Sequence, residues 1–153
     1  MNREVLTKHD DQSLRIYTVW VPKQRGLERD VPAATTEVKD PRAAHYWDAP
    51  GVLVRGYRET LKLSEDAWDI YLLYGPDARW EEDLPPAPLY WVHQLGSKEE
   101  PRLHGPWLDG AAFLERLRRV TTSTRSDAKP AMLAKEFLPR VLRGPRELRH
   151  LRD

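Results

Sequence analysis

The residues that most often carry enzyme chemistry are sparse in this chain. Its 153 residues include five histidines and no cysteine. Without cysteine there can be no disulfide, no thiolate nucleophile and no thiolate metal site. The histidines form no i, i+4 pair and have no glutamate at metal-ligand spacing, so we expect solvated or core imidazoles. They are His9, His45, His93, His104 and His150.

Other catalytic motifs are also missing from the sequence. No glycine-rich phosphate loop follows a predicted strand, and no serine lies in a G-x-S-x-G motif. Glu81, Glu82 and Asp83 could together hold a cation beside Trp80, but a solvated loop is the simpler interpretation. We therefore predict no catalytic, cofactor-binding or metal-binding residues, and a protein that is not an enzyme.

Composition and charge favour an ordinary globular protein. The chain is 40% hydrophobic and 32% charged, and its net charge is +1. A net charge this close to zero does not indicate binding to nucleic acid or to an anionic membrane. No apolar run approaches the roughly 18–20 residues of a membrane span, and the N-terminus lacks the apolar core of a secretion signal. A cytoplasmic location without a membrane partner is the expectation.

Two apolar segments predict the strands. Ala67–Trp80 contains a five-residue aliphatic and aromatic run, followed by a Gly-Pro-Asp turn. We interpret Ala67–Leu95 as an irregular antiparallel hairpin with a proline-rich connection. Leu14–Val21 is apolar on both faces, which is typical of a strand in the interior of a sheet.

The other elements follow from periodicity and capping residues. Asp30 is the expected cap of the helix at 31–38, and Asp109 that of the helix at 110–120. The full set comprises a short polar helix or loose arm at 2–12, helices at 31–38, 50–63 and 110–120, and an extended piece at 43–47. These elements make residues 1–120 one domain.

The C-terminal part is predicted to be separate from that domain. Residues 121–130 have the composition of a linker, and 131–153 are predicted to be a basic helical tail. Leu133, Phe137 and Val141 follow at i, i+4 and i+8, and a last helical turn would carry Leu148 and Leu151. Eight Lys/Arg against four Asp/Glu from 121 onward make a weak footprint for nucleic acid, so we expect no nucleic-acid partner.

Several segments, in order, resemble the later two-thirds of a thioredoxin-like domain. They are LRIYTVWVP, DPRAAHYWDAPGVLVRGYRETL with its D..G.....Y pattern, AWDIYLLYGPDARW and PLYWVHQLG, followed by a helix. The resemblance covers residues 14–120 and is closest to the peroxiredoxin-like and thiol-disulfide oxidoreductase branch. It implies an α/β fold: a thioredoxin-like three-layer sandwich, truncated at the N-terminus, with a short helical C-terminal extension.

The chain departs from that family where its chemistry lies. The family carries cysteine on a turn before the strand equivalent to Leu14–Val21, and here some thirteen residues precede that strand without a cysteine. The family also has a cis-proline just before the hairpin strand, and the corresponding segment here, Ala67-Trp68-Asp69, contains no proline. The resemblance thus implies a redox-inactive domain for protein interaction or assembly. The alternative is a subunit or fragment of a thiol-disulfide oxidoreductase whose Cys motif lies on another chain or upstream of Met1.

Two candidate interaction surfaces follow. Six tryptophans are most simply core packing, but Trp47 and Trp68, with Asp69, would line the place of the family's active site. The tail stripe Leu133, Phe137 and Val141 is the second. In the family sheet, Leu14–Val21 and Ile70–Tyr74 flank the strand that is missing here. The two strands could close up on each other, residues 3–8 could fold into the gap between them, or a second chain could supply the missing strand. We favour the last possibility, as a homodimer or with a partner protein.

Overall fold

The computed structural model describes residues 5–23, 25–81, 83–126 and 148–150. Within these ranges the chain is mixed α/β, with two small open sheets and three α-helices. The elements are β1 (Ile16–Trp20), α1 (Val31–Ala34), β2 (Ala43–Asp48), α2 (Val52–Thr60), β3 (Ile70–Leu73), β4 (Tyr90–His93), α3 (Gly110–Ser126) and β5 (Leu148–His150). None of the helices in these ranges is long and apolar enough to cross a membrane.

The first sheet has the order β1-β2-β5. β1 and β2 are parallel, and α1 lies between them in sequence, so the three elements form a β-α-β unit. The extended piece predicted at 43–47 is confirmed as β2. The prediction that β1 is an interior strand is wrong among the described residues: β1 lies at the edge of its sheet, and Tyr17 is 40% exposed.

The C-terminal segment contributes to this sheet. β5 pairs antiparallel with β2, with Leu148 opposite Asp48 and His150 opposite Tyr46. The helical turn predicted around Leu148 is therefore wrong, because backbone pairing with β2 overrides the local helical pattern. The rest of the predicted tail, including Leu133, Phe137 and Val141, lies outside the described residues.

The second sheet is the predicted hairpin. β3 and β4 are antiparallel, from Ile70 opposite His93 to Leu73 opposite Tyr90. Their proline-rich connection packs on α2, where the Thr60 hydroxyl donates to the Pro85 carbonyl at 2.9 Å. Gly56 permits this approach, because a Cβ there would lie 2.8 Å from the Pro85 ring. β3 and β1 belong to different sheets, so the two strands do not close up on each other, which was one of the three possibilities considered.

Asp48 binds the first N–H groups of α2. The prediction that Asp30 caps α1 is wrong. The Asp48 carboxylate is fully buried and accepts the N–H groups of Val52 and Leu53, each at 2.9 Å. The Asp30 carboxylate instead turns back and accepts the Leu27 N–H at 3.0 Å. α2 begins two residues later than the predicted helix at 50–63, because Gly51 has a left-handed backbone conformation (φ 68°) that cannot belong to a right-handed helix.

Asp109 caps α3 as predicted, and its carboxylate accepts the N–H groups of Ala111 and Ala112. The helix then continues to Ser126 instead of ending at Val120. Thr121 is buried and its hydroxyl donates to the Leu117 carbonyl four residues earlier, so the threonine fits within the helix. The first part of the predicted linker is thus helical, and residues 127–130 lie outside the described ranges.

The N-terminal residues are part of the core. Val5 is 0% exposed, and Leu6–Lys8 form a single 3₁₀ turn. The possibility of a loose arm is therefore excluded for these residues. Val5 packs in one cluster with side chains of the hairpin and α3, namely Leu73, Val92, Phe113, Leu114 and Leu117. A second cluster comprises Leu63, Ala67, Leu95 and Leu103.

Candidate interaction surface around Trp68

Trp68 lies on the turn that leads from α2 into β3. The side chain is half-buried, and its inner part packs on the cluster of Leu63, Ala67, Leu95 and Leu103. That packing holds the indole in place and leaves the residue partly exposed. A large ring that is fixed on one side and open on the other is typical of an interface anchor.

Two cations from distant parts of the chain lie over this indole. Lys23 Nζ is 5.6 Å from the ring centroid, and the Arg102 guanidinium carbon is 5.3 Å from it. Both distances are within the range of a cation–π interaction. Lys23 follows β1 and Arg102 follows β4, so three segments of the chain meet at Trp68.

Two carboxylates beside Trp68 position these cations. Asp66 pairs with Lys23 at 3.2 Å and with Arg58 of α2 at 3.8 Å. Glu65 accepts both arms of the Arg102 guanidinium, one of them at 2.9 Å from Nε to Oε1. We call this set the Trp68 surface: Lys23, Arg58, Glu65, Asp66, Trp68 and Arg102.

Asp69 lies next to this surface. Its backbone carbonyl accepts the Gln94 N–H at 3.0 Å, which extends the pairing of β3 and β4 by one step. Burial raises the pKa of the Tyr71 hydroxyl well above its usual range, and the Asp69 carboxylate raises it further. Tyr71 therefore stays neutral and donates to Gln94 Oε1 at 3.0 Å.

Trp47 does not contribute to an exposed aromatic surface. It lies on β2 and is 5% exposed, so the structure keeps Trp68 and Asp69 as candidate surface residues and removes Trp47. The third predicted set, Leu133, Phe137 and Val141, lies outside the described residues. Sequence reasoning missed the charged members of the Trp68 surface, because they come from positions as far apart as Lys23 and Arg102.

His45 and His93 take part in packing. His45 stacks on Trp20, and its Nδ1 accepts the indole N–H at 3.3 Å. His93 is 0% exposed, its Nδ1 accepts the Leu95 N–H at 3.2 Å, and Trp107 contacts its ring edge-on. In the described ranges no group of three or more His, Asp or Glu side chains could hold a metal ion.

Comparisons with known proteins do not assign a function. No family model, curated protein or solved structure matches this chain. Its function must therefore be inferred from the chemistry of the Trp68 surface.

Proposed function

We propose that this chain is a non-catalytic protein-interaction domain that associates with a second copy of itself through the Trp68 surface. The observation that carries this proposal is a partly buried tryptophan with Lys23 and Arg102 over its ring. Tryptophan and arginine are the residue types most enriched among the residues that dominate binding energy at protein interfaces.

The order of elements supports a thioredoxin-like architecture as part of this proposal. A β-α-β unit, a second helix, an antiparallel hairpin and a last helix follow one another along the chain. In that architecture Trp68 takes the position of the family's cis-proline, beside the family's active site. A chain without cysteine would then use the same surface for binding alone.

The charge pattern favours a second copy as the occupant. The Trp68 surface presents cations and carboxylates side by side, and Arg58 and Arg102 are about half-exposed. A twofold interface brings the same patch of both copies together. Each copy would place an arginine opposite a carboxylate of the other, so a surface of mixed sign can complement itself.

Sedimentation velocity across micromolar concentrations tests this proposal, comparing the wild type with Trp68→Ser. We expect a concentration-dependent dimer for the wild type. We expect a Kd at least about 30-fold weaker for the variant, as for loss of a residue contributing roughly 2 kcal/mol to binding. Leu89→Ser is the matched control, because Leu89 is 67% exposed and lies at the opposite end of the hairpin.

Circular dichroism establishes that both variants are folded before their association is compared. A wild type that stays monomeric at every concentration would overturn the proposal. So would a Trp68→Ser variant that dimerises as tightly as the wild type, and so would an equal loss of dimer in Leu89→Ser.

A further inference from the structure

Val5–Leu14, the N-terminal strap, is held to the rest of the protein by the packing of Val5, Leu6 and Leu14 and, between its ends, by hydrogen bonds to Arg42. Val5 is fully buried against the hairpin and α3. Further along, carbonyl groups of Leu6, His9 and Asp11 converge on the Arg42 guanidinium. A change that disturbs Arg42 would therefore act on the whole strap.

Arg42 is bound on two sides. Its Nη1 donates to the His9 carbonyl at 2.6 Å, and its Nη2 donates to the Leu6 carbonyl at 3.1 Å. Its Nε and Nη2 also donate to the two carboxylate oxygens of Asp40, at 2.9 and 2.7 Å. The Arg42 side chain is 8% exposed, so these bonds use the guanidinium in a site with little water.

His9 lies in the same site and has an unused polar atom. The residue is 8% exposed, and its Nε2 is buried with no hydrogen-bond partner among the described residues. The ionisable groups facing it are Asp10 and Asp11 on the strap, Arg42 before β2 and Arg118 on α3. A proton on His9 would create a buried cation beside two arginines, and the described part of the chain offers Nε2 no acceptor.

We propose that the N-terminal strap is an acid-released segment in which protonation of His9 detaches Val5 from the core. Release uncovers the apolar side chains that Val5 contacts, which belong to the hairpin and to α3. Above neutral pH His9 is neutral and the strap stays docked.

The direction follows from proton linkage. Burial is the largest cause that lowers the pKa of His9 below its ordinary value of 6.5, Asp11 opposes it, and Arg42 and Arg118 lower it further. The released strap therefore takes up the proton first, so docking is at full strength above about pH 6.5 and weakens as the pH falls. Because release of the strap is coupled to a single proton, its equilibrium constant rises at most about tenfold per pH unit.

The absence of cysteine permits a direct test. Val5→Cys introduces a single thiol at a fully buried position, and cysteine packs as a small apolar side chain. Its reaction rate with a dithiodipyridine reagent is measured from pH 7.5 to pH 5. Each rate is divided by that of Ala87→Cys, an exposed position in the connection between β3 and β4, which corrects for the intrinsic pH dependence of the thiol. We expect the ratio to rise as the pH falls below about 6.5, by at most about tenfold per unit.

Two further variants distinguish strap release through His9 from titration of another group and from global unfolding. In Val5→Cys carrying His9→Leu, or His9→Gln if the leucine variant is unfolded, the ratio should be independent of pH. Ala67→Cys reports on the second apolar cluster and should stay protected, because global unfolding would expose it as well. A flat ratio in Val5→Cys overturns the proposal, as does an unchanged rise without His9 or a parallel rise at Ala67→Cys.

Discussion

Two arginine–carboxylate pairs of this protein use the same chemistry in different environments. The Arg42 and Asp40 side chains are 8% and 10% exposed, whereas those of Arg102 and Glu65 are 48% and 34% exposed. Both pairs have the two-pronged geometry in which one guanidinium binds both carboxylate oxygens. Burial, and not the pairing itself, distinguishes them.

The difference shows what each pair can do for the protein. Arg42 binds the strap and Asp40 where water is scarce, so losing either partner leaves a buried charge without compensation. Arg102 keeps its charge in contact with water, and its pair contributes little to folding. The exposed pair can therefore change partners on binding, while the buried pair fixes the position of the N-terminal strap.

Substitution of Arg42 should have the largest effect. We expect Arg42→Gln to lower the free energy of unfolding by about 3–5 kcal/mol, because the buried Asp40 carboxylate then has no cation to pair with and the strap carbonyls lose their donors. Urea unfolding followed by circular dichroism measures this loss. A loss below about 1 kcal/mol, the range of exposed pairs, would contradict the distinction between the two pairs.

Acid should affect the buried pair in a defined direction. The hydrogen bonds from Arg42 lower the pKa of Asp40 below its usual 3.8, although burial opposes this shift. The stabilisation is thus fully present above about pH 4 and is lost as the pH falls through the lower pKa of the folded state. A carbon-detected NMR titration of the Asp40 carboxyl measures this pKa directly, and titration at or above 3.8 would contradict it.

Loss of the exposed pair should have the smallest effect on stability. Arg102→Gln is expected to change the free energy of unfolding by no more than about 1 kcal/mol, and by less at high salt. The same urea titration, run in low and high salt, provides the comparison with Arg42→Gln. A loss of about 3 kcal/mol or more would show that the Trp68 surface is needed for folding as much as the buried pair.

Local chemistry made part of the fold predictable. The β3–β4 hairpin follows from an apolar run, a Gly-Pro turn and a second apolar run, and α3 follows from its cap Asp109 and its apolar stripe. The strand order could not be derived in the same way. β5 pairs with β2 from about a hundred residues away along the sequence, and no local pattern around Leu148 predicts this pairing.

The two tryptophans of the predicted surface illustrate where sequence information ends. Both Trp47 and Trp68 stand at the end of an element, next to an aspartate, and the sequence treats them alike. Trp47 is 5% exposed on the central strand of the β1-β2-β5 sheet. Trp68 remains half-exposed because only one part of its ring meets an apolar cluster.

The β3–β4 hairpin, the helix cap at Asp109 and the absence of cysteine could all be read from the sequence, because they depend on composition or on residues close together in the chain. Which tryptophan stays accessible, the meeting of Lys23 and Arg102 over it, and the burial of Val5 became clear only from the folded chain. Burial and charge pairing depend on which distant segments pack together, and these non-local contacts are determined by the fold of the whole chain.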